Sequence, residues 1–317
     1  MTRPNLFSYA TKELSQDAVI CWLLEWAGKP TGGGDVASKE LRRCGLRLLR
    51  ALLPDVKLGS EVDVRVHHQV KRIDVLAHVN QQHVLLIEDK TNSNEHSNQL
   101  KRYYKEVRDG GLLKQAKIPA TAKEHLHAVC IKTGNLSRAE RIRIEDQDFA
   151  VFDRKALLRV LNLYSGQNDI LVDFRRHLKR WERETNSFQK WSRNEKKPER
   201  LERGWEGLYA WIEDHYQDKS DEKWGYLRST LIGGFHGLWV EPTVTSKNSR
   251  FAMWIERDRI SFRLYGAKRQ ESLKGMDREK LVWASRSRSG GDGWSSAPTT
   301  GLIWTDQWQT SIEQKRY

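Results

Sequence analysis

The stretch that decides the fold is KRIDVLAHVNQQHVLLIEDK, residues 71–90. Its two apolar, β-branched-rich parts predict two β-strands, and the polar Asn-Gln-Gln at 80–82 predicts a hairpin turn between them. Pairing these strands would bring the carboxylate of Asp74 beside Glu88 and Lys90. The three residues are therefore the first candidates for a functional site.

The spacing of the charges at the end of the second strand favours a site. Side chains alternate between faces along a strand, so Glu88 and Lys90 point the same way while Asp89 points away. The carboxylates of Asp74 and Glu88 can hold a hard cation such as Mg²⁺, and an ammonium group can orient water or offset charge on a phosphate. This chemistry suits phosphodiester cleavage. The structural alternative is a hairpin whose charged tip happens to contain these residues.

The motifs of the hairpin belong to a longer series along the chain. The series comprises Glu13–Trp26, Glu61, Arg72-Ile73-Asp74, Ile87-Glu88-Asp89-Lys90 and the Gln-x-x-x-Tyr segment Gln99–Tyr103. Together they resemble the PD-(D/E)XK nuclease superfamily, and most closely its bacterial and phage-associated members with a Gln-x-x-x-Tyr helix. The resemblance covers about the first half of the chain. It departs from the superfamily pattern at Ile73, which stands where the name has Pro.

The resemblance implies an α/β fold with a restriction-endonuclease-like core of a helix, three strands, a helix and a strand. It implies that Asp74 and Glu88 bind Mg²⁺ or Mn²⁺ and that Lys90 is the catalytic lysine. It also implies that Glu61 is an accessory acid and that Gln99 and Tyr103 line the site from the following helix. The order of elements that the sequence pattern predicts agrees with this core, although many folds share it.

Composition and charge favour a polyanionic partner. The 317-residue chain carries a formal net charge of +13, and a positive surface attracts phosphate backbones. The expected partner is nucleic acid, DNA rather than RNA. A membrane is not expected, because no apolar run is long enough to span a bilayer. The odd number of cysteines, widely spaced in apolar segments, predicts reduced core thiols in a cytoplasmic protein: Cys21, Cys44 and Cys130.

Changes in composition predict three regions. Residues 1–165 form the nuclease-like core, residues 166–218 a charged helical region, and residues 219–317 a smaller Trp-rich C-terminal domain that contains β-strands. Apolar alternation on both sides of Arg257-Asp258 predicts a hairpin in the third region. The helical region or the C-terminal domain is a candidate interface for a partner protein or for a second copy of the chain.

Four residues are candidates for contact with nucleic acid: Arg72, Arg286, Arg288 and Trp294. The last three lie in or beside a Ser/Arg/Gly-rich segment, where arginine can contact phosphates and tryptophan can stack on a base. The alternative is that the tryptophans of this half fill a small β core and the arginines are ordinary surface residues. The sequence leaves both interpretations open.

Two functions fit these patterns. The first is a metal-dependent nuclease, for which the resemblance suggests phage defence or mobile-element processing as natural settings. The second is a catalytically silent nucleic-acid-binding protein, or a subunit of a complex, that keeps the nuclease fold as a scaffold. The intact set of Asp74, Glu88 and Lys90 favours the first, because a scaffold has no evident physical need for two carboxylates beside a lysine.

Overall fold

The predicted hairpin is present in the computed structural model as two antiparallel strands, β2 (Ile73–Val79) and β3 (His83–Lys90). Val75 lies opposite Ile87 in their register. Successive apolar side chains of β3 enter two different hydrophobic cores, one on each face of the sheet. This is the consequence of the two-residue period for a strand that is buried on both faces.

The chain divides into two units, Met1–Glu184 and Thr185–Tyr317. The part of the chain that the structure describes comprises residues 4–10, 13–28, 35–91, 98–191, 202–215, 220–227, 235–242, 249–256, 259–266 and 295–296. Within it, each unit contains one five-stranded sheet.

The sheet of the first unit has the order β1-β2-β3-β4-β5. The three other strands of this sheet are β1 (Val64–Val70), β4 (Leu126–Lys132) and β5 (Ala150–Asp153). Strands β1 to β3 form an antiparallel meander, whereas β4 and β5 run parallel to β3. Parallel neighbours require crossover connections, and helices supply both of them. The predicted α/β core of helix, three strands, helix and strand is confirmed.

Helices cover both faces of this sheet. One face carries α1 (Glu13–Ala27), α2 (Val36–Leu52), α6 (Arg154–Asn162) and α7 (Asp169–Thr185). The other carries α3 (Gln99–Arg108), α4 (Gly111–Gln115) and α5 (Arg138–Glu145). Short 3-10 helices lie at Leu6–Ser8 and Ala120–His125.

Two details of this packing bear on the predictions. Helix α7 buries Phe174, Leu178 and Trp181 in the same core as α1, so the beginning of the predicted charged helical region packs within the first unit.

Helices α1 and α2 approach so closely that a Cβ atom on Gly45 would lie 2.3 Å from the carbonyl oxygen of Leu23. Only glycine fits there without a shift of backbone.

In the described part of the second unit, an α-helix precedes an antiparallel sheet of order β10-β9-β8-β7-β6. The elements are α8 (Glu202–His215), β6 (Ser220–Leu227), β7 (Phe235–Pro242), β8 (Ser249–Glu256), β9 (Arg259–Gly266) and β10 (Ser295–Ser296), with a short 3-10 helix at Asn186–Lys190. The predicted hairpin is confirmed, since Glu256 pairs with Arg259 across its turn.

Cys21, Cys44 and Cys130 are buried free thiols. Burial raises the pKa of the Cys21 thiol to about 12 and that of Cys44 to about 11, which keeps both groups protonated at neutral pH. Among the described helices, none combines the length and the apolar character that crossing a membrane requires.

Candidate active site

The register of the hairpin brings the first two candidate carboxylates together. Continued by one residue, the β2–β3 pairing places Asp74 opposite Glu88. The backbone N–H of Asp89 donates a hydrogen bond to Asp74 Oδ2 at 2.9 Å, which holds that carboxylate at the end of the sheet. The Nζ atom of Lys90 lies 2.7 Å from Glu88 Oε1. The three residues that the sequence singled out therefore form one group.

Burial sets the electrostatics of this group. Glu88 is 1% exposed, and burial together with the charge of Asp74 raises its pKa to about 8, although Lys90 acts in the opposite direction. Burial also raises the pKa of Asp74, against the hydrogen bond from Asp89 and the charge of Lys90. For Lys90 itself, burial favours the neutral amine, but Glu88 outweighs it and the pKa rises. The lysine stays charged, and the two carboxyl groups favour a proton or a cation between them.

Helix α3 adds two polar side chains to the same group. The Nε2 atom of Gln99 lies 2.9 Å from Glu88 Oε1 and 2.8 Å from the hydroxyl oxygen of Tyr103. Gln99 and Tyr103 are four residues apart, so the helix presents both on one face. Glu88 is on the sheet face that α3 covers, because it shares the parity of Val84 and Leu86. The structure thus brings Gln99 and Tyr103 next to Glu88, and their role in the reaction stays a prediction.

The opposite face of the sheet holds a second acidic pair. Asp89 points toward α1, as alternation along β3 predicts, and accepts a hydrogen bond from the side-chain amide of Gln16. Burial, and next the charge of Asp17, raises the pKa of Asp89 well above its usual range. Burial, and next the charge of Asp74, raises the pKa of Asp17 to about 6. Asp89 and Asp17 therefore retain at least one proton between them near neutral pH.

The acidic residues of α1 are the part of the site that the sequence did not identify. Besides Asp17, Glu13 approaches the end of β3, where its Oε1 atom accepts hydrogen bonds from the backbone N–H of Thr91 at 2.9 Å and from the Thr91 hydroxyl at 3.2 Å. The charge of Glu13 also acts on the pKa of Asp74 and Lys90. The available signal was the four-residue spacing of Glu13 and Asp17, which puts both on one helical face.

Glu61 lies away from this group. Glu61 lies just before the start of β1, whereas Asp74 lies just after its end. The seven-residue strand between them has a length of roughly 20 Å. The side chain of Glu61 is 60% exposed and lies 3.3 Å from the guanidinium of Arg42. The structure therefore does not bring Glu61 to the site as the resemblance implied, and the additional acids come from α1. Arg72 is exposed in the β1–β2 turn, two residues before Asp74.

The C-terminal candidates for nucleic-acid contact, Arg286, Arg288 and Trp294, lie outside the described residues. Their role stays a prediction from the sequence.

Comparison with known proteins identifies the family. A model of the PD-(D/E)XK nuclease superfamily matches residues 4–224, more than half of the chain. The chain belongs to this superfamily. The match spans the whole sheet of the first unit, so the PD-(D/E)XK family model covers every element that carries Asp74, Glu88 and Lys90. Membership implies a nuclease, that is, a hydrolase acting on nucleic acid, and nucleases of the PD-(D/E)XK superfamily usually use divalent metal ions.

No curated protein and no solved structure matches this PD-(D/E)XK chain. Its substrate and biological setting therefore rest on the site and on the family.

Proposed function

We propose that this protein hydrolyses phosphodiester bonds of DNA with Mg²⁺ or Mn²⁺ held by Asp74 and Glu88, and that Lys90 is its catalytic lysine. One observation carries the proposal. Two carboxyl groups from neighbouring strands face each other at the end of a buried sheet, with a lysine Nζ atom 2.7 Å from one of them.

The residues present fit a divalent cation. Carboxylate oxygens are the ligands that Mg²⁺ and Mn²⁺ prefer. Glu88 Oε2 is buried and accepts no hydrogen bond within the described part of the chain. Burial, and next the charge of Asp74, raises the pKa of Glu88, so a cation beside these two carboxyl groups would offset the cost of ionising them. When bound there, a divalent cation would polarise the scissile phosphate and lower the pKa of an attacking water molecule.

The side chains around the carboxylates position the reacting groups. Lys90 remains protonated because of Glu88, so its ammonium can orient water or offset charge that develops on the phosphate. Gln99 holds one oxygen of Glu88 through its amide and leaves the other oxygen to a ligand. The backbone N–H of Asp89 fixes the orientation of Asp74. Preorganised donors of this kind lower the cost of reorganisation during the reaction.

The substrate class follows from charge and family. A net charge of +13 suits a phosphate backbone but does not separate DNA from RNA, since both polymers carry it. DNA is proposed on the resemblance to bacterial and phage-associated members, as are the settings of phage defence and mobile-element processing. Arg72, beside Asp74 in the β1–β2 turn, is proposed to contact the backbone near the scissile bond.

A cleavage assay with matched variants tests the proposal. The purified chain is incubated with labelled duplex DNA, single-stranded DNA and RNA of one sequence, in Mg²⁺, in Mn²⁺ and in EDTA. Asp74→Asn, Glu88→Gln and Lys90→Gln change the charge but little of the shape. We expect each to lower cleavage by at least about a hundredfold, the scale on which general catalytic groups contribute, while binding in EDTA stays within a few fold of wild type.

The control is Asp63→Asn, an exposed aspartate directly before β1, which should leave cleavage unchanged. Binding without cleavage by the wild-type chain in every metal would support the silent scaffold instead. Faster cleavage of RNA than of DNA would overturn the substrate assignment while leaving the catalytic residues in place.

A further inference from the structure

A second cluster of potential metal ligands lies in the second unit, between the start of α8 and β7. It consists of Glu202 and Glu206 from the helix and His236 from the strand. One oxygen of each glutamate lies 3.2 Å from the same atom, His236 Nδ1. Within the described residues, this is the one group of three or more such side chains whose ligand atoms all lie within 4.8 Å of one another.

The hydrophobic contacts between helix and sheet place these side chains. Helix α8 buries Trp205 and Tyr209 against Trp224 and Leu238. His236 and Leu238 are two residues apart on β7, so both point to the sheet face that α8 covers. Glu202 and Glu206 are four residues apart, which sets them one above the other on the helix. The packing of the core therefore brings the backbone of all three residues to one place between α8 and β7.

We propose that Glu202, Glu206 and His236 form a binding site for a divalent transition metal, with Zn²⁺ as its best occupant. Tetrahedral Zn²⁺ has bonds of about 2.0–2.2 Å to imidazole nitrogen and carboxylate oxygen, which places neighbouring ligand atoms about 3.2–3.6 Å apart. The two separations of 3.2 Å from Nδ1 already match this geometry. An imidazole ligand selects Zn²⁺ over Mg²⁺, which prefers oxygen donors.

The charges of the cluster point the same way. Two ionised glutamates four residues apart on a helix repel each other, and a single Nδ1–H can donate one well-aligned hydrogen bond at a time. A divalent cation in contact with all three atoms would offset the repulsion between the two carboxylates. The ion would tie the first turn of α8 to β7 and leave a fourth position for water. Its role is therefore to stabilise the second unit.

The test measures Zn²⁺ binding to the full-length chain by competition with a chromophoric chelator. It is run on wild type and in a Glu88→Gln background, which removes one of the two carboxyl groups proposed to bind metal in the first unit and so weakens Zn²⁺ binding there. Into each background we introduce Glu202→Gln or His236→Gln, with Asp214→Asn, exposed on the same helix, as the matched control. Glu202 is 49% exposed, so its isosteric replacement leaves the core of this unit intact.

In the Glu88→Gln background we expect one Zn²⁺ to bind per chain. Glu202→Gln or His236→Gln should lower the affinity for this Zn²⁺ by about tenfold or more, because removing even an outer partner of a metal site causes a loss of that size. Asp214→Asn should bind like its parent. Co²⁺ in the same background should show d–d absorption of tetrahedral or five-coordinate metal, lost in Glu202→Gln. Absence of Zn²⁺ binding at micromolar concentrations, or equal binding by all three variants, would overturn the site and indicate that His236 forms only ion pairs with the glutamates.

Discussion

Replacing Glu88 with glutamine should remove a large pH dependence of stability from the metal-free protein. Burial and the charge of Asp74 raise the pKa of Glu88 from 4.5 to about 8 in the folded chain. A tenfold difference in proton affinity corresponds to about 1.4 kcal/mol, so protonation of Glu88 favours the folded chain by roughly 4 to 5 kcal/mol at most. Because the folded pKa is raised, this contribution is complete below the unfolded value of 4.5 and is lost as the pH rises through about 8.

The assay is urea unfolding in EDTA, followed from about pH 5 to about pH 9, the range in which this linkage acts. Glu88→Gln mimics the protonated carboxyl, so it should gain several kcal/mol relative to wild type toward the alkaline end. Glu145→Gln, on an exposed part of α5, should keep the wild-type profile. Mg²⁺ should raise the alkaline stability of wild type but leave that of Glu88→Gln unchanged, because Glu88→Gln lacks one of the two proposed ligands. Parallel pH profiles for wild type and Glu88→Gln would refute the reasoning.

Three further predictions concern the helices and the C-terminal segment. Gln99→Ala and Tyr103→Phe should slow single-turnover cleavage less than loss of a metal-binding carboxylate does, because both touch Glu88 or each other rather than the cation. Gly45→Ala should lower the free energy of unfolding in urea by about 3 kcal/mol or more. This is the upper end of the usual cost of overpacking, because the new Cβ atom would collide with the backbone of Leu23. Arg286→Ala with Arg288→Ala should give a shallower salt dependence in a DNA-binding titration, since fewer counterions are released.

The core of the site was predictable because it is local in sequence. Asp74, Glu88 and Lys90 lie on two strands joined by one turn, and strand alternation alone places Glu88 and Lys90 on one face. Gln99 and Tyr103 follow by helical spacing on the next element. Residues brought in from a distant element were not predictable in this way. Glu13 and Asp17 reach the site only through the packing of α1 on the sheet, and no short-range pattern specifies that contact.

The outcome for Glu61 has the same cause. The resemblance implied that Glu61 is an accessory acid, but the antiparallel register of β1 and β2 carries Glu61 to the end of the sheet away from Asp74. In the second unit, the hairpin of β8 and β9 was predictable from alternation, whereas β6 was not, because its sequence SDEKWGYL is mostly polar and contains glycine. Its pairing with β7 comes from the tertiary fold.

The most direct test of the central claim is the Mg²⁺ dependence of single-turnover cleavage of duplex DNA by wild type and by Asp74→Asn. If Asp74 and Glu88 hold the catalytic cation, wild type should show no cleavage in EDTA and a rate that saturates with Mg²⁺. Asp74→Asn should stay folded, bind the same DNA in EDTA, and show little or no cleavage at any Mg²⁺ concentration. Cleavage by wild type in EDTA, or an Asp74→Asn rate and Mg²⁺ midpoint equal to those of wild type, would contradict it.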